Sequence, residues 1–241
     1  MRLLSYNIHK GIGGRDRRYR LERVLHVIEH ENPDVVLLQE VTRDTARCGK
    51  DDQPCLLHAK FALEHMMFQL NVSWKVGGYG NLLLSRWPIV DKHQISLRLK
   101  NKKPRGAQIA VVDGPEGRFK IVNVHLGLSE KERAWQVHHL LHHPLYRETL
   151  DLPCVVCGDF NDWRNCLAGG PFKERGMTQI TSPPSRFRSF PAYFPLGSLD
   201  KAFCCDGIQV AEARIVGGAH AALASDHRPL VIDFHLNGKT T

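Results

Sequence analysis

The sequence predicts an α+β fold in which two β-sheets pack face to face and helices cover them. Two observations carry this expectation. Apolar runs of strand length recur along the chain and several end in a polar side chain, and the segments between them place apolar residues at helical spacing.

The opening RLLSYNIHKG is an apolar-rich strand that runs into glycines, with Arg2 to Asn7 as its core. Leu21, Val24, Leu25 and Ile28 then fall on one helical face, and that helix stops at Asn32-Pro33, because the residue before a proline avoids helical backbone. DVVLLQE (34–40) is continuously apolar until its closing carboxylate, the pattern of a strand covered on both faces. A charged loop with Cys48 and Cys55 follows, and Leu56 to Leu70 reads as a helix. NLLLS, GAQIAVVD and RFKIVNVH are successive strands separated by turns such as GPEG. Ser129 with Glu132 makes a capping box, opening a helix that runs through Leu141 and ends at Pro144. CVVCGDFND is a buried strand that delivers its acidic end to a loop; Pro183 to Pro195 is irregular; SLDKAFCC and HRPLVIDFHL supply closing strands. No repeat or linker interrupts this pattern, so residues 1–241 read as a single domain, long enough for a large core.

Lysine and arginine outnumber aspartate and glutamate by 33 to 25, a formal charge of +8. That excess suits a polyanionic partner such as nucleic acid or an anionic lipid surface, and it also serves solubility. No apolar run approaches the ~18 residues that span a bilayer. A strand beginning at Arg2 leaves no room for a secretory signal. Seven cysteines without regular spacing read as reduced thiols, with a Cys48–Cys55 bridge as the lesser alternative, so a cytoplasmic location and a monomer are expected.

Five segments end in side chains suited to a hard cation or a phosphate: Asn7, Glu40, His125, Asp159 with Asn161, and Asp226 with His227. In their order, YNIHKG, LLQE, NVHLG, GDFND, SLDKAF and SDHRPL resemble the signature motifs of the endonuclease/exonuclease/phosphatase superfamily, which includes DNase I and exonuclease III. The resemblance runs from Asn7 to Pro229. It implies a four-layer αββα sandwich, two packed mixed β-sheets flanked by helices, and metal-dependent hydrolysis of phosphoesters.

Mg2+ or Mn2+ is the implied cofactor, since Mg2+ takes one or two carboxylates and keeps room for phosphate oxygens. Glu40 and Asp226 are the expected ligands, with Asn7 as a neutral neighbour in a site crowded with acids. By resemblance, His227 lies beside the scissile phosphate with Asp200 orienting its imidazole, and either His227 or Asp159 takes the proton of the attacking water. Asn161 and His125 contact the phosphate in the same reading, His125 as a donor to a non-bridging oxygen. Arg105, in KKPRGAQ, and Trp163, directly after GDFND, are expected to bind substrate.

Two other constellations are read as structural. Cys154 and Cys157 form a CxxC, but odd spacing on a strand sends them to opposite faces. His138, His139, His142 and His143 make i, i+4 pairs on a helix with no acidic partner, the mark of a solvated face. The basic runs RDRRYR (15–20), KNKK (100–103) and RFR (186–188) would follow a phosphate backbone if the fold gathers them. The expected substrate is therefore nucleic acid, DNA ahead of RNA, with a phospholipid, inositol phosphate or other small phosphodiester as the alternative. A catalytically inactive binding protein on the same fold would have lost a metal ligand or the catalytic histidine, and this sequence keeps them together.

Overall fold

In the computed structural model, which describes residues 1–237, the opening run forms β1 (Arg2–Asn7) and the helical segment after it α1 (Leu21–Glu31). There follow β2 (Val35–Arg43), α2 (Gln53–Lys60), β3 (His65–Ser73), β4 (Gly78–Ser85), β5 (Ile89–Ser96), β6 (Gly106–Gly114) and β7 (Gly117–His125). The second half holds α3 (Glu130–His142), α4 (Pro144–Arg147), β8 (Cys154–Asp159), α5 (Pro171–Glu174), β9 (Thr178–Gln179), β10 (Asp200–Cys204), β11 (Ile208–Ile215), α6 (Gly218–Ala224) and β12 (Leu230–Leu236).

The strands form two six-stranded sheets, in the orders β11-β12-β1-β2-β4-β3 and β5-β6-β7-β8-β10-β9. Each is mixed, with one parallel pair at its centre: β1 with β2, and β7 with β8. Alternation along the strands sets the layers. Leu3, Val35, Leu37 and Ile232 of the first sheet meet Ile121, Val155 and Ala202 of the second in the core between them. Their neighbours Leu4, Val36, Leu38 and Val231 face outward and pack on Val24 and Ile28 of α1. On the far side Val122, Val156 and Phe203 pack against Val137 and Leu140 of α3. The result is the αββα sandwich expected from the motifs. Both faces of the central strands are buried, which is why VVLL and CVVC read as unbroken apolar runs.

Local signals behave as their chemistry dictates. α1 ends where Asn32 turns left-handed at φ 46°, its N–H reaching the Ile28 and Glu29 carbonyls. At α3 the Ser129 hydroxyl accepts the Glu132 N–H, but the Glu132 carboxylate accepts from Gln136, so only half of the capping box forms. Cys154 and Cys157 face opposite sides of β8, one in each core, and all seven cysteines are free. The helix expected over Leu56 to Leu70 is a correction: α2 ends at Lys60 and β3 begins at His65, pairing antiparallel with β4. Met66, Met67 and Phe68 alternate between the two faces of the first sheet, and tertiary pairing overrides the helical propensity of the segment. The strands β5, β9 and β11 are also additions to the sequence reading.

A layer of buried amides crosses the sandwich just below the polar strand ends. Gln39 Nε2 donates to Asn123 Oδ1 at 2.8 Å, and Asn123 Nδ2 donates to Gln108 Oε1 at 2.9 Å and to the Leu38 and Leu82 carbonyls. Gln108 in turn donates to the Met67 carbonyl and Asn81 to that of Gly106, so the two sheets are tied by hydrogen bonds as well as by apolar contact. Among the described residues no helix is long and apolar enough to cross a membrane.

Candidate active site

The parallel pairs at the centres of the sheets bring several polar strand ends to one edge of the sandwich. Register does part of the work: His125 lies opposite Asp159 across β7 and β8, and Asp159 opposite Asp200 across β8 and β10. Residues on one rung project to the same face, so the three side chains stand in a row. Gly158 permits the close approach, because a Cβ there would sit 1.9 Å from the Val124 carbonyl oxygen. In the first sheet β1 ends at Asn7, and β2 carries a bulge after Leu38 that puts Glu40 into a left-handed conformation at φ 56°. Bulges re-aim side chains, and this one turns the carboxylate out of the regular alternation. Asp226 and His227 come from the loop between α6 and β12.

Asp159 is the centre of the arrangement and is almost fully buried. Its Oδ1 accepts the Asn161 N–H at 2.9 Å, and its Oδ2 accepts Asn7 Nδ2 at 2.9 Å. Two imidazoles face that same Oδ2, His125 Nε2 at 3.5 Å and His227 Nε2 at 3.7 Å. The far nitrogen of His227, Nδ1, is 2.8 Å from Asp200 Oδ2. The far nitrogen of His125, Nδ1, receives Arg105 Nη1 at 3.2 Å. Asn7 and His227, from the first sheet and its last loop, thus meet His125, Asp159 and Asp200, from the second.

Burial and charge divide these groups. Burial lifts the Asp159 carboxyl to about 6, with Asp200 adding to the rise and His227 and Asn7 opposing it. Burial disfavours charge on His227, but Asp200 and Asp159 outweigh it and raise that imidazole to about 10. Burial and then the Arg105 charge push His125 well below the ordinary histidine value. Glu40 stands in a basic setting. Burial opposes its ionisation, yet Lys10, in direct contact with its Oε2, together with His9 and Lys103 holds its carboxyl below the usual range.

Glu40 and Asp226 make no hydrogen bond to the Asp159 group. Asp226 has a partly exposed side chain and faces His9 Nδ1 at 3.7 Å and the Ser225 hydroxyl at 3.4 Å. Asn161 sits at φ 51° and ties its amide to the Leu126 carbonyl. Arg105 is 5% exposed and lies behind His125. Trp163 is 57% exposed on the rim, its benzo ring against Gly197, where a Cβ would meet it at 2.6 Å. Phe190 bridges from Trp163 to His227, with ring centroids 5.8 Å from one and 4.9 Å from the other. Sequence reasoning passed over Lys10 and Phe190, whereas Lys103 belongs to the KNKK run. Of the first two only Lys10 carried a signal, three residues after Asn7 in the same motif.

The donor set suits a hard divalent cation. Glu40 is held ionised, the Asp226 side chain is partly open to solvent, and Asn7 keeps a lone pair on Oδ1 beyond the one taken by the His9 N–H. Two carboxylates and a neutral amide are oxygen donors of the kind Mg2+ or Mn2+ takes, and among the described residues no three His, Cys, Asp or Glu side chains form a closed metal cage.

A sequence model described as "Endonuclease/Exonuclease/phosphatase family" matches residues 4–227. YbhP of Escherichia coli, a protein without an assigned function, is 31% identical over 98% of this chain and 96% of its own length. The crystal structure of an endonuclease/exonuclease/phosphatase from Beutenbergia cavernae superposes with a TM-score of 0.80 at 23% identity, over 98% of this chain and 72% of that one. A mannosyl-6-phosphatase of Bacteroides thetaiotaomicron shares the fold at a TM-score of 0.73 and 15% identity, over 98% of this chain and all of that one. Matched along nearly its whole length, the chain belongs to the endonuclease/exonuclease/phosphatase family of phosphoesterases.

Proposed function

We propose that this protein is a divalent-metal-dependent phosphodiester hydrolase. The observation that carries the reading is the convergence of two imidazoles on one oxygen of a buried carboxylate, His125 at 3.5 Å and His227 at 3.7 Å from Asp159 Oδ2, beside the ionised Glu40. A Mg2+ or Mn2+ ion held by Glu40 and Asp226, with Asn7 alongside, would supply a Lewis acid for a phosphoryl oxygen. Asp159 orients the attacking water and takes its proton; with a carboxyl near about 6 it is a stronger base than an ordinary aspartate. Asn7 and the Asn161 N–H fix the rotation of that carboxylate. His227, kept protonated by Asp200, donates to the phosphate as negative charge builds. His125 holds a second phosphate oxygen, and the remaining amide hydrogen of Asn161 is available to the same group.

The substrate class we assign is nucleic acid, DNA ahead of RNA, on the placement of the basic runs. The loop carrying RDRRYR packs beside Asp226, since a Cβ on Gly14 would touch the Asp226 backbone. Lys103 acts on the charge of Glu40, and Arg188 precedes Ser189, whose carbonyl accepts the Arg228 N–H and whose hydroxyl accepts the Asp200 N–H. Three positive segments therefore border the site, as a phosphate backbone requires. A second reading, a phospholipid or other small phosphodiester, is supported by the exposed apolar rim of Trp163, Tyr193, Phe194 and Leu196.

One panel separates them: supercoiled plasmid, linear duplex, single-stranded DNA, phospholipid vesicles and bis-p-nitrophenyl phosphate, each with Mg2+, Mn2+ or EDTA. The Glu40→Ala/His227→Ala double variant controls for contaminating enzymes. Metal-dependent DNA cleavage lost in the variant is the expected result. Turnover of lipid alone moves the assignment to the second reading, and binding of DNA in EDTA with no turnover of any substrate overturns the hydrolase reading.

A further inference from the structure

The two histidines that face Asp159 have opposite groups at their backs. Behind His227 stands a carboxylate, Asp200 Oδ2 at 2.8 Å from Nδ1. Behind His125 stands a guanidinium, Arg105 Nη1 at 3.2 Å from Nδ1. A guanidinium offers only donors and keeps its charge in proteins, so the nitrogen it meets must present a lone pair. A neutral imidazole that accepts on Nδ1 carries its proton on Nε2, and Nε2 is the atom that looks across the site at Asp159. The opposite tautomer would set two N–H groups head to head. The imidazolium would do the same and add two like charges in contact between side chains that are both buried.

We propose that Arg105 is a positioning residue whose guanidinium locks His125 as the neutral Nε2–H tautomer, making it a donor to phosphate that does not exchange its proton. The charged groups around His125 agree with this: Arg105, Lys103, Lys10 and His227 all oppose a further positive charge, against the Asp159 carboxylate at 3.5 Å. Burial acts in the same direction as the cations. The two rings then divide the work, His227 carrying charge and His125 carrying direction. The role towards phosphate rests on the function proposed above, whereas the tautomer is a property of the protein alone.

Heteronuclear NMR of the imidazole nitrogens tests the tautomer without substrate. In the wild-type protein with EDTA, His125 should show a protonated Nε2 and a bare Nδ1 unchanged across the neutral pH range. Arg105→Gln should let His125 titrate or populate the other tautomer, and Arg105→Lys, which keeps a charged donor, should restore the wild-type signature. With bis-p-nitrophenyl phosphate and Mg2+, Arg105→Gln should lower kcat by roughly 100-fold, the scale of losing one transition-state donor, with KM changed by less than about threefold. A wild-type His125 that is protonated on Nδ1 or is an imidazolium at neutral pH overturns the proposal, whatever the variants do. So does an Arg105→Gln protein that keeps the wild-type signature and only raises KM, the behaviour of a residue that binds substrate directly.

Discussion

Replacing Asp200 by asparagine keeps the shape of the side chain and removes one charge from the back of His227. Asp200 is fully buried and its Oδ2 lies 2.8 Å from His227 Nδ1, so the imidazolium loses its nearest counter-ion while Asp159, 3.7 Å from Nε2, remains. Two unit charges about 4 Å apart at an effective dielectric of about 20 attract by about 4 kcal/mol. At about 1.4 kcal/mol per unit, His227 should lose about three pKa units and titrate near about 7 instead of about 10. The sign for stability follows from linkage: a histidine whose folded pKa is raised contributes stability that is complete below 6.5 and lost as pH rises through about 10. In Asp200→Asn that loss should be complete near neutrality, so its urea midpoint should lie furthest below wild type at pH below about 7, and the gap should close as pH rises to about 10 and the wild type loses the same contribution. An NMR titration of the His227 ring in EDTA reads the pKa directly. Turnover at neutral pH should drop by roughly 100-fold or more, the scale of a positioned acid or base. A His227 pKa that stays near 10 in the variant would show that the Asp200 charge is not what keeps the ring protonated.

Other consequences are open to simple measurement. Glu40→Gln should abolish the rise in melting temperature that saturating Mg2+ or Mn2+ gives the wild type, a stabilisation of about 2.7 kcal/mol at about 100 times Kd; an undiminished rise in the variant would remove Glu40 from the metal site. Asn123→Leu leaves Gln39 Nε2 and Gln108 Oε1 without their partners in the buried amide layer and should cost about 2–3 kcal/mol in urea unfolding. Gly197→Ala should displace the Trp163 indole, seen as a change in tryptophan emission. Because that ring can swing outward, stability should stay within about 0.5 kcal/mol of wild type.

The layers of the fold were legible because the central strands are covered on both faces and advertise it with unbroken apolar runs. β3 was not, because HMMFQLNVS alternates weakly and only its pairing with β4 makes it a strand. The site divides along the same line. Asn7 and Asp159 close their strands, Glu40 sits at the bulge of β2 and His227 in a loop, each within a recognisable local pattern. The contact between Arg105 and His125 joins the residue before β6 to the last residue of β7 and shows in neither motif. Lys10 escaped for a related reason, since a lysine gains meaning only from the carboxylate the fold sets beside it. Trp163 was visible as a residue but not as part of a rim, since Phe190 reaches it from a loop some thirty residues on.

Both sheets contribute to the candidate site, and the last contribution comes late. Asp226 and His227 precede β12, which closes on β1, the strand that opens the chain. His125, Asp159 and Asp200 all precede His227 in the chain, and their strands pair with one another without it. The reactive arrangement therefore stays incomplete until the first and last strands have found each other. Under the proposed function, turnover would therefore report that closure.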